Sequence, residues 1–335
     1  MSRSGSAAPA TVVVVPREQF SKAPISLESV LASTSVPLVY VDGNSPAAVQ
    51  HYLQQTAQQR SFKLIRANHY LAANQARNLA IPYIDTTYAV FLDNDVVPWP
   101  GWLEALVQCA EETGAWAVGP LYCVGDGSDP SVPVVHQAGA DCHISTIQGV
   151  ARFVERHSPA CGKPLAEVRQ QLTRRPCELL EFHCLLVRMD AVHRFGGLDE
   201  GLLSFFDHND FCLKARMVGG ELAIEPDAVV TYLPPPPFAR SDLAYFLLRW
   251  SQTWFSASLR HFCHTWGLDI QDPSFRDHIA YRIAHRRRAY TWWSTRPPGP
   301  RSSAADLLVE GTIGSLLERT LVRRLDQARR SGHSR

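Results

Sequence analysis

The chain has 335 residues, of which 33 are basic and 32 are acidic, so its formal net charge is +1. This balance argues against a protein that is held to nucleic acid by bulk electrostatic attraction. A content of 45% hydrophobic and 19% charged residues is ordinary for a globular protein. No apolar run approaches the roughly 20 residues that span a bilayer.

The N-terminal sequence and the cysteines favour a cytoplasmic protein. Residues 1–10 are polar and are expected to form a flexible tail, and the apolar run that follows, residues 11–15, is too short for a signal peptide. The eight cysteines are scattered without a Cys-x-x-Cys pair. This pattern predicts reduced, mostly buried thiols and neither a disulfide framework nor a cysteine zinc site.

Predicted strands and helices alternate through the first third of the chain. We expect strands over residues 11–15, 37–41, 62–65, 88–92 and 115–118. We expect helices over residues 26–32, with Ser26 as the N-cap, and over 46–59, 71–80 and 102–112. Alternation of this kind predicts right-handed βαβ units on a mostly parallel sheet.

The most informative segment is the strand over residues 88–92, which ends in Asp93-Asn94-Asp95. Two carboxylates at i and i+2 can turn toward one point, and Mg²⁺ or Mn²⁺ takes such oxygens together with substrate phosphates. Ligands of parallel sheets bind beyond the carboxyl ends of the strands, where Arg17 and Asp42 would meet this pair. The segment therefore predicts a metal–diphosphate site, with a solvated acidic turn as the alternative.

The second half of the chain changes in character. Residues 123–177 are rich in Gly, Pro, His and Ser, so we expect them to be mainly loops, with His136 among them. Further strands are expected over residues 185–188, 222–224 and 228–232, and short helices after Asp190 and over 212–218. Residues 243–264 predict one or two packed helices, and an amphipathic helix follows the proline break at 297–300.

The order of these motifs resembles glycosyltransferase family 2, whose GT-A enzymes transfer a sugar from a nucleotide-diphosphate sugar with inversion. The matching segments are residues 12–16, 41–45, 74–78, 91–98, 100–102, 188, 195–200 and 207–214. The resemblance implies an α/β, Rossmann-like GT-A catalytic domain over residues 11–235, with a mostly parallel sheet flanked by helices. A mainly helical extension over residues 236–335 would follow.

The resemblance also implies roles for single residues. The nucleotide sugar would be bound by Pro16, Arg17, Asp42, Arg77, Asn78, Asp93 and Asn94. In the alternative interpretation, Asp42 only stabilises the Asp-Gly-Asn-Ser turn in which it stands. Asp93 and Asp95 would hold a Mn²⁺ or Mg²⁺ ion, with Asp95 as the more direct ligand.

Two positions depart from the family pattern. The usual Glu-Asp-x-Asp cluster, whose second residue is the base, reads here Asp207-His208-Asn209-Asp210. A neutral imidazole is a competent base near pH 7, so we expect Asp207 or His208 as the base and Asp210 as its orienting partner. A mere helix cap is the alternative. Tyr232 replaces a metal-binding histidine of many relatives, so the metal would keep more water or draw on His208.

The expected partners are a nucleotide-diphosphate sugar, preferably a uridine-diphosphate sugar, and an acceptor that the sequence leaves open among a glycan, a lipid-linked sugar, a protein and a small molecule. Basic and aromatic residues over 282–293 also suit peripheral contact with the inner membrane face, and the last helix suits a homo-oligomer. Two other classes stay open. They are a non-catalytic nucleotide-sugar-binding module and, less favoured, a phosphohydrolase of the haloacid dehalogenase type.

Overall fold

The computed structural model describes residues 9–125, 133–234, 238–289 and 308–333. Its strands are β1 (Ala10–Val15), β2 (Leu38–Gly43), β3 (Lys63–Ala67), β4 (Tyr88–Asp93), β5 (Val96–Pro98), β6 (Ala117–Val124), β7 (Val134–Gln137), β8 (Ala140–Ile147), β9 (Val150–His157), β10 (Arg175–Cys177), β11 (Cys184–Arg188) and β12 (Leu222–Tyr232). Its main helices are α1 (Ala23–Ser33), α2 (Ala47–Arg60), α3 (Ala73–Ala80), α4 (Trp102–Thr113), α5 (Leu165–Val168), α6 (Met189–Arg194), α7 (Asp207–Met217), α8 (Leu243–Arg249), α9 (Gln252–Trp266) and α10 (Arg276–Arg287). A last helix, α11, runs over residues 308–333.

Ten strands form one mixed sheet in the order β10-β12-β6-β11-β4-β1-β2-β3, with β5 beside β12 and β7 beside β6. The neighbours β4, β1, β2 and β3 are parallel, as the alternating pattern predicts. Strand β11 lies antiparallel between β4 and β6. The carboxyl ends of these four neighbouring strands therefore lie at one edge of the sheet, and β11 begins at that same edge.

Both faces of the parallel half are covered, which explains why its strands are continuously apolar. Every residue of β1 is buried. Alternate side chains enter two different cores: Val13 packs with Phe91 on one face, whereas Val12 packs with Trp102 on the other. The strand β4 that delivers the acidic pair is thus fixed from both sides.

The structure corrects three sequence-based expectations. Residues 123–177 are not mainly loops, because they hold β7, β10 and the two-stranded hairpin β8–β9. The strands predicted over 222–224 and 228–232 form the single strand β12, with an irregularity between Glu225 and Val229. Ser26 is not an N-cap, since α1 begins three residues earlier and the Ser26 hydroxyl donates to the Val96 carbonyl at 2.6 Å.

The C-terminal helices pack on the sheet domain, as predicted for residues 243–264. Tyr245 and Trp254 share a core with Phe20 from the N-terminal half, and Val322 of α11 completes it. Within the described ranges, no helix is long and apolar enough to cross a membrane. All eight cysteines are free, and six are buried, as expected. Ala10, which was expected to belong to the tail, is the first residue of β1. Residues 1–8, the prolines at 235–237 and residues 290–307 lie outside the described residues. The last of these segments includes the aromatic residues up to position 293 and the proline break at 297–300.

Candidate active site

The ends of β1 and β4 are joined by hydrogen bonds. Val15 and Asp93 are register partners in these parallel strands. The Asn94 amide donates to the Val15 carbonyl at 2.9 Å, and the Arg17 amide donates to the Asn94 side-chain oxygen at 2.9 Å. Arg17 and the acidic segment therefore lie together, as the sequence predicts. The Asn94 side chain thus links the end of β4 to the residues that follow β1.

Pro16 and Gly43 show how closely β1 and β2 approach at this edge. A Cβ atom on Gly43 would lie 2.8 Å from Cγ of Pro16, which is closer than carbon atoms can pack. Glycine therefore lets the end of β2 reach the end of β1. Pro16, Arg17 and the last residues of β2, Asp42 and Gly43, therefore lie at the edge of the sheet where β4 ends.

Asp93 is fully buried and surrounded by cationic or ring nitrogens. Its oxygens lie 3.4 Å from Nε of Arg17, 3.5 Å from Nη2 of Arg77 and 3.0 Å from Nδ1 of His183. The sequence reasoning missed His183, which directly precedes β11 and reaches Asp93 because β11 runs antiparallel to β4. Burial, followed by the charge of Arg17, lowers the pKa of His183. The ring is therefore neutral near pH 7 and donates one hydrogen bond.

Arg77 connects the strand-end carboxylate to the start of α7. Its side chain is fully buried, and Nη1 donates to Oδ2 of Asp207 at 2.7 Å and to Oδ1 of Asn74 at 2.8 Å. The guanidinium lies 4.0 Å from the centre of the Phe182 ring, a cation–π distance. Two residues that are 130 positions apart, Arg77 and Asp207, thus form one buried pair. The structure brings the predicted donor and base residues together.

Asp95 has the character of a metal ligand. Both side-chain oxygens are buried and have no hydrogen-bond partner among the described residues. Burial, and then the charges of Glu18 and Asp93, raise the pKa of Asp95 well above its ordinary value. A divalent cation would relieve this penalty, so the residues fit a Mn²⁺ or Mg²⁺ ion. Asp95 fits better than Asp93, whose oxygens already face three nitrogen groups.

Tyr232 stands at the position for which the family resemblance implies a metal-binding histidine. Its hydroxyl donates to Oε2 of the buried Glu18 at 2.6 Å. The other oxygen of Glu18 makes no hydrogen bond within the described part of the chain. Tyr232 therefore orients a second carboxylate near Asp95.

Asp207 and His208 form a carboxylate–imidazole pair at the first turn of α7. Oδ1 of Asp207 lies 3.4 Å from Nδ1 of His208, and the imidazole is 22% exposed against 4% for the carboxylate. Burial alone would lower the pKa of His208, but the adjacent negatively charged carboxylate of Asp207 raises it. Burial would raise the pKa of Asp207, but His208 and Arg77 hold it well below its ordinary value. The carboxylate is thus ionised, and the imidazole is the more accessible of the two.

Asp210 does not orient this pair, so that prediction is wrong. One Asp210 oxygen accepts from Nε1 of Trp266 at 3.0 Å, and the other lies 2.7 Å from Nζ of Lys214. Lys214 lies one turn further along α7, and Trp266 is the last residue of α9. Asp210 contributes to the position of α7 and not to the orientation of the base.

Asp42 and Asn78 are also engaged in local structure. Asp42 accepts from the amide of Ser45 at 2.8 Å and from its hydroxyl at 2.9 Å, and it pairs with Arg66. The turn interpretation of Asp42 is therefore supported. Asn78 donates to the Leu198 carbonyl and accepts from the Leu198 amide, both at 2.8 Å. The amide of Asn78 holds the loop before α7, which removes it from the predicted donor contacts.

A second residue that the sequence reasoning missed is Arg249, the last residue of α8. It is 4% exposed, and its Nε and Nη1 atoms have no hydrogen-bond partner among the described residues. Burial, and then the charge of Arg17, lower the pKa of Arg249 to about 10. The available sequence signal was a lone charge in an otherwise apolar helix. An unpaired buried guanidinium is the group that an anionic ligand satisfies.

Comparison with known proteins agrees with this architecture. Residues 12–164 match the family model described as Glycosyl transferase family 2. The pre-mycofactocin glycosyltransferase of Mycobacterium tuberculosis, in two strains, is 30% identical over 161 residues. This match covers 47% of the present chain and 29% of the relative, so the chain spans less than a third of the curated relatives that it matches.

A solved structure described as GalNAc-T7 with UDP, GalNAc and Mn²⁺ has a TM-score of 0.52 at 14% identity. The similarity covers 95% of the present chain and 59% of the other chain. At this identity the likeness shows the fold alone, and it confirms the predicted GT-A architecture. Residues 12–164 are therefore similar to glycosyl transferase family 2, and the chain folds as a GT-A protein.

Proposed function

We propose that the protein is a glycosyltransferase that moves a sugar from a nucleotide-diphosphate sugar to an acceptor hydroxyl, with inversion and with a divalent cation. One observation carries this proposal. Both oxygens of Asp95 and the Nε and Nη1 atoms of Arg249 are buried without a hydrogen-bond partner among the described residues. Both side chains are close enough to Arg17 and Glu18 for their charges to interact. A metal–diphosphate also carries charges of both signs, so its cation would pair with the buried carboxylate and its phosphate oxygens with the buried guanidinium.

The donor diphosphate would lie between these charges. Asp95 would hold the divalent cation, whose bound form neutralises charge on the leaving diphosphate. Arg249 and Arg17 would donate to phosphate oxygens, as arginine does in phosphate recognition. The proposal thus uses one residue from the C-terminal helices to complete a site that begins at the sheet edge.

The donor nucleotide is proposed to be uridine diphosphate. The related fold of GalNAc-T7 was solved with UDP, which supports this choice. Asp42 remains compatible with base recognition, because a carboxylate offers about four acceptor positions and three donors occupy Asp42 here. One position is left for a base N–H group.

His208 is proposed as the general base, with Asp207 as its orienting carboxylate. His208 is the more exposed member of the pair, while one oxygen of Asp207 is held by Arg77. The imidazole would take the proton of the acceptor hydroxyl, which attacks the anomeric carbon opposite the leaving diphosphate. Attack on that face inverts the configuration in a single displacement.

Nucleotide binding and donor turnover test the proposal. Thermal unfolding is measured with uridine, guanosine and thymidine diphosphates, each with and without Mn²⁺, and release of UDP from UDP-sugars is followed in parallel. We expect the largest stabilisation with UDP and Mn²⁺, and loss of its Mn²⁺-dependent part in Asp95→Asn. The control is Asp190→Asn, which neutralises an exposed acid paired with Arg188.

Three outcomes would contradict the proposal at different levels. Stronger protection by guanosine or thymidine diphosphate would refute the uridine assignment. Equal Mn²⁺ dependence in Asp95→Asn and in the wild type would refute the metal assignment. Tight UDP-sugar binding without any release of UDP, with or without candidate acceptors, would identify a binding module in place of an enzyme.

A further inference from the structure

A second group of metal-binding side chains lies beside the proposed donor site. It consists of His136 on β7 together with Glu181 and His183, which precede β11. One potential ligand atom from each side chain lies within 4.8 Å of the other two. None of the three residues is among the predicted donor, metal or base residues.

The distances in this group match those between ligands of one metal ion. Oε2 of Glu181 lies 3.3 Å from Nε2 of His136 and 3.4 Å from Nε2 of His183. Zinc–nitrogen and zinc–oxygen bonds of about 2.0–2.1 Å in a tetrahedral site place neighbouring ligand atoms about 3.3–3.4 Å apart. The three atoms therefore already have the spacing of two tetrahedral edges that meet at Glu181.

The hydrogen bonding of Glu181 supports this interpretation independently. Its Oε2 atom is buried, and it has no hydrogen-bond partner of acceptable geometry among the described residues, although two imidazole nitrogens are close to it. The nearby surface pair His143 and Glu178 differs, since its 2.9 Å contact is a regular hydrogen bond. A buried carboxylate oxygen faced by two ring nitrogens, without a hydrogen bond to either, is the arrangement that a shared cation explains.

The orientation of His183 is set from outside the group. Its Nδ1 atom lies 3.0 Å from Oδ2 of Asp93, so Nδ1 carries the proton and Nε2 presents its lone pair toward Glu181. The ring of Tyr232 stacks on the His183 ring with centroids 4.7 Å apart. A carboxylate behind a metal-binding histidine fixes its tautomer and orientation in many metal sites.

We propose that His136, Glu181 and His183 bind a divalent transition metal of the Zn²⁺ type through Nε2, Oε2 and Nε2. Two imidazoles and one carboxylate form a three-ligand set that leaves a coordination position open for water or a substrate oxygen. Imidazole ligands favour such metals, whereas the carboxylates near Asp95 favour Mn²⁺ or Mg²⁺. The proposal stands apart from the donor assignment, because none of its three ligands belongs to that assignment.

Metal titration of the full-length protein tests this site. After treatment with a chelator, Zn²⁺ binding is measured by calorimetry, and Co²⁺ is added in parallel because a tetrahedral Co²⁺ site absorbs strongly in the visible range. We expect one high-affinity equivalent in the wild type and an affinity at least about 100-fold weaker in His136→Ala, since loss of an outer partner alone costs 10–100-fold. His143→Ala serves as the control, because it removes a histidine from a surface carboxylate pair of similar composition.

Two further variants separate this site from the aspartate site and from effects on folding. Glu181→Gln removes the shared ligand while keeping its shape, and thermal unfolding verifies that each variant is folded. We expect Zn²⁺ to raise the unfolding temperature of Asp95→Asn as it does in the wild type, but not that of His136→Ala or Glu181→Gln. Loss of Zn²⁺ binding in Asp95→Asn with retention in His136→Ala would overturn the proposal, as would equal binding in all variants. Neither result would alter the UDP and Mn²⁺ measurements that test the donor site.

Discussion

Replacing Asp95 by asparagine should stabilise the metal-free protein while it removes metal-dependent donor binding. The structure leaves both oxygens of this carboxylate buried and without a hydrogen-bond partner among the described residues. A buried unsatisfied polar group costs about 1–3 kcal/mol, and more when it is charged. Asparagine has nearly the same shape and no charge, so the part of the cost that comes from the charge should disappear, although the amide is still a polar group.

The expected gain also depends on pH in a definite direction. Burial and the charges of Glu18 and Asp93 raise the pKa of Asp95 above 3.8 in the folded state, so the folded protein binds this proton more tightly than the unfolded chain does. The wild type is therefore favoured at low pH and loses stability as the pH rises through the raised pKa. The difference between Asp95→Asn and the wild type should be near zero at about pH 4 and should grow toward neutral pH.

Thermal unfolding with a chelator present, at a series of pH values, measures this difference. We expect Asp95→Asn to unfold about 2–6 °C above the wild type near neutral pH, from a gain of about 1–3 kcal/mol. Asp227→Asn is the matched control, because Asp227 is 78% exposed and its pair with Arg169 should contribute little. A variant that is less stable than the wild type at neutral pH would show that Asp95 is not an unpaired buried charge, and the metal argument would lose its basis.

Three further predictions, with four substitutions, test other parts of the protein. The donor-transfer rate of the wild type should fall as the pH drops through a midpoint above the ordinary histidine value of about 6.5, because Asp207 raises the pKa of His208. His208→Gln should cost about 10²–10⁴-fold in rate, whereas Asp207→Asn should move the midpoint to lower pH; loss of all activity only in Asp207→Asn would identify the carboxylate as the base. Arg249→Leu should weaken UDP binding in calorimetry by about 10–150-fold, the equivalent of 1.5–3 kcal/mol for a hydrogen bond to a charged group, and should leave uridine binding unchanged; equal losses for both ligands would exclude a diphosphate contact. Glu318→Ala should make α11 more susceptible to limited proteolysis, because Glu318 accepts hydrogen bonds from the Thr253 amide and hydroxyl at 2.7 and 2.6 Å. An unchanged cleavage rate would show that these two hydrogen bonds do not hold α11 against α9.

The sheet edge was predictable because its signals are local. A buried parallel strand is apolar throughout, so β4 and the position of Asp93 could be read directly from the sequence. Alternating strands and helices then place the ends of β1, β2 and β4 together without knowledge of any side-chain contact. The hairpin β8–β9 was missed because most of its residues are half-buried or exposed, which leaves only a weak alternation.

The remaining site residues were unpredictable because tertiary packing alone places them. His183 reaches Asp93 only because β11 is inserted antiparallel beside β4, and Arg249 reaches the site only because α8 packs against the domain. Asp210 stands in the acidic cluster, yet Trp266, 56 residues further along the chain, takes one of its oxygens. No periodicity or spacing of the sequence contains these three contacts.

The antiparallel insertion of β11 also brings residues from two separate stretches of the sequence into one site. Asp93 and Asp95 lie within the family-matched residues 12–164, whereas His183, His208 and Arg249 lie beyond them. The proposed metal ligand Asp95 and the proposed base His208 are thus encoded in separate stretches of the sequence, and Arg249, the proposed diphosphate contact, lies in the second stretch. Exchange of the second stretch would therefore change the proposed base and one proposed diphosphate contact together, while Asp93 and Asp95 stay in place.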